Sequence, residues 1–145
     1  MKSIKPGKTR ENDMLVELQF GMFDGVAKSQ LPDLYPNEWA NYQRNRQFQG
    51  KFFARRPNGE SPLDCEIRQK LFLQDMQKDL LDLNIEDIII IGHGAQLTCL
   101  KKAMFNHNHE WYETEPNPGN CSIQLITYDL FTINDKGYIY GQHDD

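Results

Sequence analysis

The chain has 145 residues, 39% hydrophobic and 26% charged, with a formal net charge of -5 and a pI near 5.3. That is the size of one domain with a buriable core, so residues 1–145 are read as a single domain. The acidic balance argues against a nucleic-acid partner, which needs a basic field, and no apolar run reaches the ~20 residues of a membrane span.

From the N-terminus, "MKSIKPGKTRENDM" is charged with no apolar stretch behind it, so it is not a secretory signal. Cys65, Cys99 and Cys121 are odd in number, far apart and without metal-ligand spacing. They read as reduced thiols of a cytoplasmic protein, small buried hydrophobes by default. The first dozen residues read as loose. Residues 14–27, "MLVELQFGMFDGVA", mix apolar positions with two glycines and suggest an ordered loop or short helical turn. An excursion rich in proline, amides and aromatics follows, with one short helix expected near 37–47 and a turn at "RPNGES".

A strong helix comes next. Ser61 can cap it, Pro62 suits its first position and Asp64 places an acid in its first turn. Leu63, Ile67, Leu71, Met76, Leu80 and Leu83 recur at roughly helical intervals and predict its inner face. Ile88–Ile91 is short, β-branched and wholly apolar, the pattern of a strand covered on both faces in a parallel sheet. Gly94–Phe105 predicts a helix with Leu97, Leu100, Ala103 and Met104 inside. "HNHEWYETEPNPGN" reads as a loop, "CSIQLITYDL" as a strand, and "FTINDKGYIYGQHDD" as a hairpin arm turning at Asp-Lys-Gly. Helix, buried strand, helix, strand is an α/β layout.

His93 stands between Gly92 and Gly94, where the isoleucine strand should stop and a helix start. Ligands of open α/β sheets sit beyond the strands' carboxyl ends. A helix starting there turns free N–H groups and its positive end toward an anion such as phosphate. A protonated histidine at that corner adds a hydrogen bond and a charge. Packing the imidazole against backbone would be the plainer role for it.

Three further motifs stand in order with Gly-His-Gly. "LVELQFGMFDG" places Glu17 three residues before Phe20-Gly21. "NGESPLDCEIR" has Gly59-Glu60-Ser61 with Arg68 seven residues after the serine. "WYETEPNPGNCSIQL" carries Asn-Cys-Ser into a strand. Over roughly residues 11 to 130 the set resembles the histidine phosphatase superfamily, the phosphoglycerate-mutase-like fold. The resemblance implies a three-layer α/β sandwich with a mostly parallel sheet. It implies Glu17 as the proton donor to the leaving oxygen, which calls for a partly buried carboxyl. It implies His93 as the second histidine, steadying charge on the phosphoryl oxygens. Gly94 and Asn120 are expected beside the phosphate, and Glu60, Ser61 and Arg68 in structural roles. No metal and no organic cofactor are implied.

The same resemblance exposes a gap. The family's nucleophile is the histidine of an Arg-His-Gly triplet ending its first, central strand, and a second arginine follows in a Ser-Pro-x-x-Arg-Ala segment. Neither motif occurs in these 145 residues. Arg10 precedes Glu17 by only seven residues, too few for the intervening helix and loop. His107 and His109 lie in a polar stretch and are read as solvated, not as metal ligands. The expected domain is therefore N-terminally incomplete and inactive or weakly active alone, since covalent catalysis needs its nucleophile. Its partners would be phosphate or a phosphorylated small molecule. The Ile88–Ile91 strand would have an open edge inviting a homodimer or strand exchange. The alternative is a non-catalytic phospho-ligand binding or interaction module of the same fold; a third reading is an unrelated α/β enzyme with Glu17 and His93 as an acid–base pair. Arg44, Arg46, Arg55, Arg56 and Lys51 could meet an acidic substrate, although solvated charge is the simpler role. Trp39, Tyr42, Phe48, Phe52 and Phe53 are read as packing of the excursion.

Overall fold

A computed structural model describes residues 9–83, 85–128 and 132–141. Single 3-10 turns at Asp13–Leu15, Gly21–Phe23 and Lys28–Gln30 lead into α1 (Leu31–Leu34) and α2 (Pro36–Gln49). Then come α3 (Pro62–Leu83), α4 (Gly94–Phe105), α5 (His109–Thr114), β1 (Ile123–Tyr128) and β2 (Ile133–Tyr140). The loose opening expected for the first residues lies largely outside the described ones.

Helix α3 starts as its sequence predicts. Ser61 Oγ accepts from the Asp64 amide at 3.3 Å, while Asp64 Oδ2 accepts from the Ser61 amide at 2.7 Å. This reciprocal cap satisfies donors that a helix start otherwise leaves bare. The inner face differs from the expected leucine stripe. Pro62, Cys65, Glu66, Gln69 and Phe72 are buried, whereas Leu63, Ile67 and Leu71 are exposed, Ile67 by 52%. The reason is polar: α4 docks on the face that offers the amide of Gln69 and the carboxylate of Glu66, which reach Gln96 and Lys102 at 2.7 Å each. Helix α4 likewise buries Ala95, Thr98, Cys99 and Leu100, with Leu97, Ala103 and Met104 only half-buried.

One apolar cluster joins Leu18, Phe52, Cys65, Ala95, Cys99 and Tyr112, tying the opening segment to the excursion, α3, α4 and α5. A second, of Phe23, Leu31, Tyr42 and Ala54, lies inside the excursion, with Trp39 and Tyr35 packed against it. Each large apolar side chain so covered contributes about 1.5–3 kcal/mol. Phe48 takes no part, being 92% exposed on α2, and Phe53 is at the surface as well. Cys65 and Cys99 are buried free thiols and Cys121 is exposed. A hydrogen bond with Cys65, then burial, pushes the Cys99 thiol up and keeps it protonated.

Four expectations change. Ile88–Ile91 forms no strand: among the described residues it has no ladder partner, and Ile91 is 85% exposed. A strand is defined by its neighbour's hydrogen bonds, so an apolar run without one stays irregular. The stretch read as a loop contains α5, capped by Asn108, whose Oδ1 accepts from the Trp111 amide at 2.9 Å. β1 and β2 pair antiparallel, but Asp135-Lys136-Gly137 lies within β2. Ile126 faces Asp135 while Gln124 faces Tyr138, so the extra residue is a bulge, and Gly137 supplies its positive φ of 78°. The mostly parallel sheet is not formed among the described residues; their sheet is this two-stranded ribbon. Lys101 Nζ on α4 fastens it by reaching Asp135 at 3.3 Å and Glu115 at 3.1 Å.

Candidate active site

The Phe-Gly and Gly-Glu-Ser motifs are two halves of one backbone joint. Glu60 N donates to Gln19 O at 2.8 Å, and Met22 N donates to Pro57 O at 2.9 Å. The strands of chain approach so closely that a Cβ on Gly21 would stand 2.2 Å from Pro57 O, and one on Gly59 would stand 2.6 Å from Gln19 O. Gly21 also has φ of 59°, which a side chain would oppose. Arg68 locks the joint from α3. Its guanidinium pairs with Glu60 (Nε to Oε1, 3.0 Å), and donates to the carbonyls of Met14 and Glu17, the latter at 3.1 Å. Glu60 Oε2 in turn accepts from the Gln19 amide at 3.0 Å. The backbone on both sides of Glu17 is thus fixed by an ion pair only about one-sixth exposed.

That frame delivers the Glu17 carboxylate to the start of α4. Oε1 accepts from the Gln96 amide at 3.0 Å and from the Leu18 amide at 2.7 Å. An anion at a helix N-terminus is favoured by the unpaired N–H groups and by the helix dipole. Oε2 makes no hydrogen bond among the described residues. His93 is the N-cap of the same helix, in extended backbone (φ -114°, ψ 161°), with its side chain at the surface. Its amide donates to Gln96 Oε1 at 3.3 Å. Gln96 Nε2 donates to Gln69 Oε1 at 2.7 Å, and Gln69 Nε2 to Met14 O at 2.7 Å. Two wholly buried amides thereby link the His93 turn to the segment carrying Glu17. A Cβ on Gly92 would fall 2.1 Å from Gln96 Oε1, so any side chain there would displace that amide.

Glu17, His93 and Gly94 therefore converge at the mouth of α4. Gly94 packs beside Asn117, whose Oδ1 accepts from Thr98 Oγ1 at 3.0 Å. Asn120 lies three residues further on, exposed in the turn closed by Ser122 N to Gly119 O at 3.2 Å. An open depression of about 380 Å³ is lined by Glu17, Phe20, Gly21, Asp24 and Asn58. Gln69, Gln96 and Asn117 were not foreseen as site residues. A glutamine at the third position of a helix and another within an apolar face were the signals available. His107 stacks on Trp111 at 4.3 Å between ring centroids, and burial together with Lys101 lowers its pKa. His109 lies against Phe53. Among the described residues no group of three or more His, Cys, Asp or Glu is placed to hold a metal, and no helix is long and apolar enough to cross a membrane.

The sequence profile of the histidine phosphatase superfamily (branch 1) matches residues 3–133. The chain belongs to that superfamily. The phosphoglycerate mutase-like protein AT74 of Arabidopsis thaliana is 32% identical over 85 residues, 53% of this chain and 27% of the relative. The related AT74H protein of the same plant is 29% identical over 85 residues, 30% of its length. The chain thus spans under a third of these two relatives. A mycobacterial hydrolase matches 92% of the chain and 64% of its own with a TM-score of 0.66 at 14% identity. A mycobacterial glucosyl-3-phosphoglycerate phosphatase, solved with inorganic phosphate, matches 91% of the chain and 64% of its own at 0.67 and 15%. These likenesses establish the histidine phosphatase α/β fold.

Proposed function

We propose that this histidine phosphatase chain holds the proton-donor and second-histidine half of a phosphomonoester site, in one domain. The observation that carries it is the 3.0 Å contact of Glu17 Oε1 with the Gln96 amide, which seats the carboxylate on the helix that His93 begins. In this reading the imidazole of His93 and the first amides of α4, beginning at Gly94, take the phosphoryl oxygens, and Asn120 closes from the facing turn. Glu17 Oε2 carries the proton to the departing oxygen while Oε1 stays anchored. The ligand is phosphate or a phosphorylated small molecule, as the phosphate-bound structural neighbour supports.

No Arg-His-Gly triplet occurs in these 145 residues, so the chain binds without forming a phosphohistidine and turns over slowly or not at all. The exposed Ile88–Ile91 segment, with no ladder partner among the described residues, is the edge at which a second copy or an exchanged strand would pair. The test pairs two measurements on the 145-residue chain. Inorganic phosphate should shift the backbone NMR signals of Gly94 and Gln96, and His93→Ala should abolish the shift, while hydrolysis of an aryl phosphate stays at background. Turnover that His93→Ala abolishes would refute the missing-nucleophile reading. Unmoved Gly94 signals at millimolar phosphate would refute the phosphate site itself.

A further inference from the structure

Asn58-Gly59 is the one place in the 145 residues where a glycine follows an asparagine. In such a pair the glycine nitrogen can attack the asparagine's side-chain carbonyl carbon, because no Cβ on the second residue shields it. The structure presents the side chain and guards the nitrogen. Asn58 is exposed in the left-handed region, at φ of 55°, and lines the Glu17 depression together with Asp24. Gly59 N donates to Arg56 O at 3.0 Å, and a Cβ on Gly21 would stand 2.6 Å from that same nitrogen. The next peptide is held as well: Glu60 N donates to Gln19 O at 2.8 Å, and the Glu60 carboxylate is paired with Arg68. Bringing Asn58 Cγ onto Gly59 N therefore requires these contacts to part.

From this arrangement we infer that Asn58 is a self-modification site, whose conversion from carboxamide to carboxylate is gated by the backbone joint around Gly21 and Gly59. When the joint opens locally, Gly59 N bonds to Asn58 Cγ. The side-chain nitrogen leaves as ammonia, taking up the proton that Gly59 N gives up. Water then opens the five-membered ring on either side of its nitrogen, leaving aspartate or isoaspartate at position 58. The net change is amide plus water to acid plus ammonia, with no oxidant or reductant. A carboxyl there is ionised at neutral pH, so both products add negative charge to a wall that already holds Glu17 and Asp24. Isoaspartate also lengthens the main chain by one carbon, at a contact where Gly21 leaves no spare room. The residue thus records how often the joint has opened, and the added charge turns anions away. That last consequence rests on the function proposed above; the modification itself rests on the joint.

The intact chain is incubated at mildly alkaline pH and digested, and the peptide carrying Asn58 is followed by mass spectrometry, with enzymatic methylation marking isoaspartate. Three samples are compared: the folded chain, the same chain in urea, and folded Arg68→Lys. In urea Asn58 should convert on the order of tenfold faster than in the folded chain, because the guard is gone. Arg68→Lys, which loosens the Glu60 side of the joint, should fall between the two. Equal rates in the folded and unfolded chain, or an Arg68→Lys rate equal to the parent's, overturn the gating. Conversion in urea no faster than at Asn106 or Asn120 overturns the site. Asn58→Asp, which installs the straight product directly, should bind inorganic phosphate roughly threefold to tenfold more weakly than the parent at low salt, the gap narrowing as salt rises. Equal affinity overturns the effect assigned to the charge. If the parent itself binds no phosphate while Asn58 converts as described, the phosphate reading falls and the modification site stands.

Discussion

Glu17 and Gln96, 79 residues apart in the chain, meet through one hydrogen bond of 3.0 Å in which the acid accepts from a backbone amide in the first turn of α4. The carboxylate therefore has a structural duty alongside any chemical one. Replacing it with alanine leaves that N–H without its partner and removes a negative charge from the helix start. Loss of an N-terminal acceptor costs about 0.5–2 kcal/mol, and the dipole adds some tenths. We expect Glu17→Ala to lower stability by about 1–2 kcal/mol in chemical denaturation. Glu17→Gln, which keeps an acceptor oxygen, should cost about half as much. Equal losses for the two would show that the oxygen is not the anchor.

The backbone joint makes a sharper prediction. Gly21→Ala must place a methyl group 2.2 Å from Pro57 O at a φ of 59°, so both contact and conformation oppose it. Gly25 has a similar φ of 68° but nothing within 4 Å of a built Cβ. Gly25→Ala should cost about 1 kcal/mol for the left-handed backbone alone. Gly21→Ala should exceed about 3 kcal/mol, the range of severe single-site damage. Urea midpoints of the two variants, compared at equal slope, would decide it.

Some of this was legible in the sequence and some was not. Local signals carried α2, α3 and α4, because Ser61-Pro62-Asp64 and the glycines around His93 act within a turn of where they stand. Motif order carried the family resemblance, and only that resemblance implied one site for Glu17 and His93. The inner face of α3 did not follow, because Leu63, Ile67 and Leu71 show the expected period while the packing is set by the polar partners of Gln69 and Glu66. Periodicity reports which face is apolar and says nothing about which face a neighbour will meet. Ile88–Ile91 failed for a related reason: β-branched residues favour a strand, but the ladder belongs to the partner, and among the described residues there is none. Helix α5 was hidden by its short length and polar composition.

The Arg68–Glu60 pair predicts a difference between arginine and lysine. Arg68 makes four contacts in different directions, to both Glu60 oxygens and to the carbonyls of Met14 and Glu17. A lysine keeps the charge and loses the fork. Arg68→Lys should cost about 2 kcal/mol, the worth of one or two hydrogen bonds to a charged group. It should also shift the Gln96 amide signal, because the Glu17 backbone is no longer held. A variant with wild-type stability and an unmoved Gln96 signal would remove Arg68 from its positioning role.

The buried amide pair supplies a coupled prediction. Gln96→Leu leaves the buried Gln69 Oε1 without its donor and the part-buried His93 amide without its acceptor. Each unsatisfied buried group costs about 1–3 kcal/mol. Gln69→Leu strands Gln96 Nε2 in the same way, while the Met14 carbonyl keeps its bond from Arg68. The double variant removes both ends of the 2.7 Å bond between them, so its loss should fall short of the sum of the singles by about 1 kcal/mol or more. Strict additivity in a double-mutant cycle would mean the two amides do not act as one link.

Acid should loosen the α3–α4 interface before the rest. Burial opposes the charge on Glu66, yet hydrogen bonds from Lys102 and Lys70 outweigh it and hold its carboxyl below the ordinary 4.5. A carboxylate whose folded pKa is depressed contributes stability fully above its unfolded pKa, and loses that contribution as the pH falls through the folded value. The loss therefore belongs below pH 4.5. Removing Glu66 alone would strand Lys102, so the informative variant is Glu66→Gln with Lys102→Met. Its stability should depend less steeply on pH below 4.5 than that of the parent chain, with the two curves running parallel between pH 6 and 8. If both slopes match throughout the acid range, the pair exposed by only 4% and 7% does not govern acid unfolding.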